Sequence, residues 1–481
     1  MSYDNPGGVM TRRKTKIVCT LGPATDSAEG IAELMEAGMD VVRLNFSHGD
    51  HETHRATIRR IREVSERVGR DIGILQDLAG PKIRLGELPP EGIVLETGGT
   101  VGLAPEGTAE AEILPVSYPY LLEDVSAGES ILLADGLVEL EVSRVETDRL
   151  VCQVLNGGPL SSRKGVNLPQ ANLRVAAFTD KDRADLEVGL EEGVDFVALS
   201  FVRHERDMEP VRTRLAREDH PPLLIAKIEK PQAVDRLLPI LEVVDGVMVA
   251  RGDLGVEMPP ETVPMVQKKI IAAARRAGRP VITATQMLRS MVDSPRPLRA
   301  EASDVANAVL DGTDAVMLSE ETAVGNFPTE AVRVLDRVAL EAEPYLDHQT
   351  MLEDSLSPCV PELTGAISRA ACELAEAIGA AAIVTTTASG STARLVARLR
   401  PASPILGLTP SAAVARQLSL SSGVFPAVSE QASDAAGLKE MVSDALAARG
   451  LDTSGSRVVI TAGLPLGVSG STNLLRVLEV G

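Results

Sequence analysis

Two acidic residues and a lysine stand where they could support metal-assisted chemistry. In LLIAKIEKPQAV an apolar run from Leu223 to Ala226 passes straight into Lys227, Ile228, Glu229 and Lys230. In GVMVARGDLG a second apolar run ends at Arg251, Gly252 and Asp253. Carboxylates such as Glu229 and Asp253, at the ends of consecutive apolar runs, suit Mg2+, which takes one or two of them and leaves its other positions to water and phosphate. Lys227, two residues before Glu229, shares its strand face. It would aim an ammonium at a transferring phosphoryl group or a developing enolate. The competing readings are an ion pair of Glu229 with Lys227 or Arg251, and a lysine whose stem carries its charge out to solvent. The GDLG turn would offer backbone N–H groups to a carboxylate or phosphate oxygen. In TTTASGST (Thr385–Thr392), hydroxyls and N–H groups follow an apolar run and open a helical pattern. That is either a phosphate cradle or a simple N-cap. His48 and His51 lack the spacing of a zinc site.

These groups need a frame that brings them together. Eight short apolar runs with polar or glycine ends recur: KIVCTLGPA, DVVRLNFSHG, IGILQDLAG, DFVALSFVR, LLIAKIEKP, GVMVARGDLG, PVITATQM and AVMLSEETA. Segments of helical period ending in glycine, such as DSAEGIAELMEAG, separate most of them. Alternating strands and helices predict a parallel sheet, and eight units predict a closed (β/α)8 barrel with its chemistry at the C-terminal strand ends. An open doubly wound sheet is the alternative. Strand parity then aims several polar pairs at one space: Arg43, Asn45 and Ser47; Lys227 and Glu229; Arg251 and Asp253; Thr283 and Thr285; Ser319 and Glu321.

The spacing breaks once, after the third strand. From about Leu85 to Leu168 helical patterning disappears, and an Asp135-Gly136 turn inside ILLADGLVELEV signals a hairpin. The expected organisation is a barrel over residues 1–84 and 169–345, an inserted β-rich lid over 85–168, and a C-terminal α/β domain over 346–481. That last domain opens with a helix at Leu363–Ile378 and continues with strands at AAIVTTT, PILGLT, GVFPAV and RVVITAG.

Composition narrows the partners. The chain has 481 residues, 44% of them hydrophobic and 2% aromatic, and no Trp, so its cores are aliphatic and the composition argues against base-stacking platforms. A formal charge of −20 argues against nucleic acid or an anionic membrane as the main partner. An anionic substrate would then need a locally positive pocket, for which Arg43, Lys82, Arg84, Arg163, Lys164 and Arg251 are the candidates. Cys19, Cys152, Cys359 and Cys372 are far apart, without a CxxC, and are expected to be reduced thiols of a cytoplasmic protein. No leader-like apolar segment or membrane span is visible.

Taken together the motifs resemble the pyruvate kinase family, from about Thr15 to the C-terminal strand. They are TKIVCTLGPA, VVRLNFSHG, GPKIR, KGVNLP, KIEKPQAV, VARGDLGVE, ATQML and SDVANAVLDGTDAVMLS, in the family's order. The resemblance implies a barrel, an inserted lid, a regulatory C-terminal domain and assembly as a homotetramer. It implies phosphoryl transfer from phosphoenolpyruvate to ADP, giving pyruvate and ATP in glycolysis, with Mg2+ and with Mn2+ as an alternative ion. Carried over residue by residue, Glu229 and Asp253 are the metal ligands, and Lys227 is the cation on the transferring phosphoryl group and enolate. Thr285 assists protonation of enolpyruvate through water. Arg43 and Arg84 contact phosphate, Lys164 contacts the phosphates of ADP, and the backbone at Gly252 and Asp253 cradles the substrate carboxylate. Asn45 and His48 complete the substrate-binding set. Thr387, Ser389, Gly390, Ser391 and Thr392 match the loop that holds an effector phosphate, from a sugar phosphate or a nucleoside monophosphate.

The departures carry information too. Potassium-dependent relatives typically read DTKGPEIR where this chain reads DLAGPKIR, so Leu78 replaces Thr and Lys82 replaces Glu. Asn45, Ser47 and Asp77 resemble potassium ligands, and an ammonium from Lys82 could fill the ion's electrostatic role. The enzyme is therefore expected to need no K+. Glu320 stands where Gly is usual, Arg289 where an acid is common, and Arg163 where Lys is common; the first dozen residues match nothing. Two other functions fit parts of the pattern. One is a Mg2+-dependent barrel lyase acting on a 2-oxo acid enolate, which the lid and KGVNLP disfavour. The other is a catalytically silent phosphometabolite sensor, which the presence of Lys227, Glu229, Asp253 and Thr285 disfavours.

Overall fold

Eight strands are buried on both faces, which is why their sequences read as nearly unbroken apolar runs. They are β1 (Lys16–Thr20), β2 (Val41–Asn45), β3 (Gly73–Leu78), β4 (Phe196–Leu199), β5 (Leu223–Ile228), β6 (Gly246–Ala250), β7 (Val281–Ala284) and β8 (Ala315–Leu318). In the computed structural model each pairs in parallel with the next and β8 returns to β1, closing a barrel. The closed barrel, not the open sheet, is the architecture. The structure describes residues 13–107, 113–171, 173–354, 360–429, 435–447, 455–463 and 472–480. Cys359 lies outside them; Cys19, Cys152 and Cys372 are buried and unpaired.

The barrel interior is filled by Val18, Val41, Leu75, Phe196, Ile225, Met248, Ile282 and Met317 among others, and Leu420 of the C-terminal domain joins the same cluster. Outward-facing residues such as Ile17, Ile74, Leu78 and Val249 pack on the helical layer. Those helices end as their sequences predict. Ser27 caps Ala28–Ala37 by accepting from the Gly30 N–H at 3.0 Å, and Gly278, at φ 71°, terminates Val263–Ala277.

Between β3 and β4 the chain builds a separate, mostly antiparallel domain. Its six-stranded sheet runs Val166–Asn167, Ser130–Leu133, Val138–Val145, Leu150–Asn156, Thr100–Pro105 and Ile113–Val116 in spatial order, around its own aliphatic core. The hairpin expected at Asp135-Gly136 joins Ser130–Leu133 to Val138–Val145. Ala134, Asp135 and Gly136 all have positive φ there.

The C-terminal domain has β9 (Ala382–Thr386), β10 (Ile405–Thr409), β11 (Val424–Val428), β12 (Arg457–Gly463) and β13 (Thr472–Glu479), ordered β11-β10-β9-β12-β13. Only β13 is antiparallel to its neighbour. The domain docks on the end of the barrel where strands begin. Arg400 binds Asp314 just before β8 at 2.7 Å, Arg416 binds Asp195 just before β4 at 2.8 Å, and Lys16 of β1 donates to the Val424 carbonyl at 2.7 Å. The opposite end is left to the inserted domain and the strand-end side chains.

Candidate active site

Three strand ends converge on one ammonium. Lys227, near the end of β5, donates to Glu229 Oε1 at 2.8 Å and to Ser200 Oγ, just past β4, at 2.7 Å. It also lies 3.3 Å from Asp77 Oδ1 on β3. Arg43 on β2 completes the group, donating from Nε to Asp77 Oδ2 at 2.7 Å and from Nη1 to Thr20 Oγ1 at 3.0 Å. Register explains the convergence: Arg43 pairs with Leu75 and Asn45 with Asp77, so alternate residues of neighbouring strands face inward together. The ion pair weighed against the metal reading is thus present between Glu229 and Lys227.

The electrostatics follow from burial. Glu229 is 2% exposed, and desolvation pushes its carboxyl up; Lys227 opposes that and Asp253 adds to it. Burial also works against the Lys227 ammonium, but Asp77 and Glu229 override it and raise its pKa. Burial pushes the Asp77 carboxyl up as well, yet Lys227 and Arg43 hold it below the usual carboxylate range. The second oxygen of Glu229 accepts from the Phe201 N–H at 2.8 Å. Buried, strained for anionic charge and close to exposed Asp253, Glu229 suits a hard divalent cation that keeps several water or phosphate ligands. Among the described residues no group of three or more His, Cys, Asp or Glu is arranged to hold a metal. Two carboxylates would have to share the task with substrate oxygens.

Thr285 follows β7 with φ 69°, unusual for a β-branched residue. Its hydroxyl accepts from the Gly252 N–H at 2.7 Å and donates to the Ala284 carbonyl at 2.6 Å. The Gly252 N–H, expected to be an open donor, is therefore engaged by Thr285. Arg251 and Asp253 do not share a strand face, because β6 ends at Ala250 and Arg251–Glu257 is a helix. Arg251 turns away to Asp304 at 2.6 Å and to the Thr285 carbonyl at 2.7 Å, so it leaves the positive pocket. Arg163 leaves it too, pairing with Glu87 at 2.8 Å inside the inserted domain. Thr283 and Glu321 are buried and structural: Thr283 bonds Thr313 across strands, and Glu321 accepts from the Leu288 and Ser319 N–H groups.

Arg84 is held by the inserted domain, donating to the Arg163 carbonyl at 3.0 Å. Lys82, Lys164 and His48 are exposed at the rim. Asn45 accepts from the Ser47 N–H at 3.1 Å. Lys82 makes no ion pair with Asp77, whose oxygens are taken by Arg43 and Lys227. Leu78 faces the helical layer, so its side chain removes no ligand from this cluster; only its carbonyl is near, accepting from Ser200 Oγ at 2.8 Å. In the C-terminal domain the Thr392 hydroxyl turns inward to Thr472 at 2.8 Å, away from the loop at Ser389 and Gly390. Thr387 is buried, and Ser391 opens the helix Ser391–Ala397.

Sequence reasoning missed Ser200 and the Phe201 N–H. The signal was available in DFVALSFVR, where a serine directly follows a four-residue apolar strand at the barrel's C-terminal end.

Comparison with known proteins agrees with this geometry. Residues 12–332 match the family model of the pyruvate kinase barrel domain and residues 365–478 that of the pyruvate kinase alpha/beta domain. The pyruvate kinase of Geobacillus stearothermophilus is 47% identical over 470 residues, covering 97% of this chain and 80% of that protein. That of Staphylococcus epidermidis is 46% identical over 474 residues, covering 98% and 81%. Pyruvate kinase 2 of Synechocystis is 48% identical over 470 residues, covering 97% and 79%. With both family models matched in order and such identity along nearly its whole length, the chain belongs to the pyruvate kinase family of phosphotransferases.

Proposed function

We propose that the protein transfers the phosphoryl group of phosphoenolpyruvate to ADP, forming ATP and pyruvate in glycolysis. The observation that carries this reading is the Lys227 ammonium caged by Glu229, Asp77 and Ser200 at the barrel mouth. In the reaction the enol oxygen–phosphorus bond breaks as a β-phosphate oxygen of ADP bonds to phosphorus. The enolate left behind takes a proton on carbon. Glu229 and Asp253 would hold Mg2+, or Mn2+ in its place, which neutralises phosphate charge when bound. Lys227 supplies fixed positive charge where charge develops, and its low exposure makes that charge count for more than in water. Arg43 and Arg84 orient phosphate, Lys164 and His48 meet the nucleotide side, and the Thr285 hydroxyl assists protonation through a water. The inserted domain excludes water, a competing acceptor.

Lys82 supports independence from K+. It is exposed and has no ionic partner among the described residues, so its stem is free to carry an ammonium towards Asn45, Ser47 and Asp77. The C-terminal loop is proposed to take the phosphate of a sugar phosphate or nucleoside monophosphate. Half-buried Arg394 supports this, with its buried Nη1 lacking a hydrogen-bond partner and Nη2 donating to the Ser389 carbonyl at 3.0 Å. Homotetramer assembly and a cytoplasmic location belong to the same reading.

The deciding assay is phosphoenolpyruvate turnover with ADP and Mg2+ in potassium-free buffer. Turnover that needs ADP and rises less than about twofold with KCl supports both parts. Absence of ADP-dependent turnover sinks the function, and strong specific activation by KCl sinks the potassium independence alone.

A further inference from the structure

Helix Arg251–Glu257, which carries Asp253, has seven residues. A helix that short does not hold its own orientation, so tertiary contacts must. Its first residue, Arg251, is tied to Asp304 and to the Thr285 carbonyl, and further contacts hold both of its ends. At its start the Gly252 N–H donates to Thr285 Oγ1 at 2.7 Å. At its last residue Glu257 Oε1 accepts from Lys230 Nζ at 2.5 Å, a pair whose side chains are 7% and 1% exposed. Lys230 is the residue after Glu229, and Glu257 lies one helical turn beyond Asp253. The ion pair therefore ties together the two chain segments that carry the proposed metal ligands.

The same carboxylate reaches the inserted domain. Asn167 Nδ2, on the domain's last strand, donates to Glu257 Oε1 at 2.6 Å. The hairpin loop lies next door: a β-carbon added at Gly136 would come 3.8 Å from Val256. On the barrel side the Phe201 ring lies 5.8 Å from Lys230 Nζ while the Phe201 N–H holds Glu229. The mechanism above uses none of Lys230, Glu257 or Asn167. Structural packing alone does not call for a buried charged pair here, since apolar residues of the same volume would be at least as stable.

We propose that Glu257 is a positioning residue that fixes Asp253 relative to Glu229 and couples both to the seating of the inserted domain. This rests on the reading of Glu229 and Asp253 as metal ligands. Its first consequence is that metal affinity depends on a residue that does not touch the metal. Its second is that the lid's seating depends on one hydrogen bond from Asn167.

The test measures Mn2+ binding to the substrate-free enzyme by the electron spin resonance signal of the free ion, alongside amide hydrogen exchange of residues 130–142. Glu257→Gln keeps the shape and loses the charge. It is expected to weaken Mn2+ binding about tenfold, the usual cost of losing a supporting partner behind a metal ligand. If it folds poorly, Lys230→Met with Glu257→Leu removes the buried charge altogether and should show the same weakening at a wild-type melting temperature. Asn167→Ala should speed exchange across the hairpin and weaken Mn2+ binding less than Glu257→Gln does, by about threefold. Unchanged Mn2+ affinity in a folded Glu257 variant, or unchanged exchange in Asn167→Ala, overturns the proposal. Glu229→Gln separates the two layers. If it abolishes Mn2+ binding while the Glu257 variants do not weaken it, the coupling fails alone. If it retains Mn2+ binding, the metal reading fails and the coupling with it.

Discussion

Lys227 has three acceptors around it, and removing it does two things at once. Asp77 keeps Arg43, but Glu229 keeps only the Phe201 N–H. A buried carboxylate left so poorly paired is costly, and taking up a proton limits the damage. Lys227→Met should therefore fold but lose about 2–3 kcal/mol in urea unfolding. The same change should cut turnover at least about a hundredfold, because a fixed charge facing the transition state is lost. Turnover within tenfold of wild type would remove Lys227 from the chemistry. Thr285 makes a different trade. With φ at 69° it holds a strained conformation that glycine adopts freely. Thr285→Gly relieves that strain but orphans the Gly252 N–H, so its stability should change by less than about 1 kcal/mol while turnover falls, whereas Thr285→Ser should keep most of the activity. A Gly variant that loses more stability than this yet stays fully active would show that neither the strain nor the hydroxyl matters.

At the scale of elements, the loops after β7 and β8 each carry a departure from the family's pattern, and the two departures meet. Arg289 Nε lies 3.0 Å from Glu320 Oε2, with both side chains more than half exposed. An exposed pair of this kind is worth roughly 0–1 kcal/mol, so a double-mutant cycle with Arg289→Ala and Glu320→Ala should give a coupling below about 1 kcal/mol that vanishes in high salt. A larger, salt-resistant coupling would mean that the loops depend on the pair. Neither partner could be matched to the other from sequence, since 31 positions and a barrel strand separate them. The barrel itself was legible because each strand is an unbroken apolar run with a polar end. Lys227 and Glu229 were legible because period-two parity holds on an extended strand. The same parity failed for Arg251 and Asp253, which follow the end of β6. On a helix, residues two apart point to nearly opposite sides, so Asp253 adds its charge to the field at Glu229 while Arg251 binds Asp304. Ser319 and Glu321 failed likewise, since Glu320–Ala323 is helical. Leu78 shows the converse: adjacent strand residues face opposite ways, so its side chain packs outward while Asp77 occupies the inner face and only the Leu78 carbonyl reaches Ser200.

The whole molecule places the C-terminal domain on the barrel end remote from Lys227, so that interface is where stability can be changed without touching the site. Lys16 is its most sensitive point. It is 4% exposed, donates to the Val424 carbonyl at 2.7 Å and lies 4.7 Å from the Phe425 ring centre. Burial lowers its pKa from 10.5 to about 8, with Asp40 opposing and Arg13 and Arg70 adding to the fall. Below about pH 8 the lysine is charged in both folded and unfolded chains, and the folded state bears the full cost of burying that charge. Between about 8 and 10.5 the unfolded chain binds the proton more tightly, so this group's contribution to stability rises with pH across that window. The drop corresponds to up to about 3 kcal/mol, offset in a Lys16→Met variant by about 1 kcal/mol for the orphaned Val424 carbonyl. Lys16→Met should therefore be more stable than wild type by about 1–2 kcal/mol at pH 7, with the advantage shrinking towards pH 10. Urea unfolding of both proteins at the two pH values measures the difference, and titrating groups distant from Lys16 cancel in the comparison. An advantage that stays flat with pH, or a variant less stable at pH 7, would mean that the buried ammonium is compensated and that the domain interface is not tuned by it.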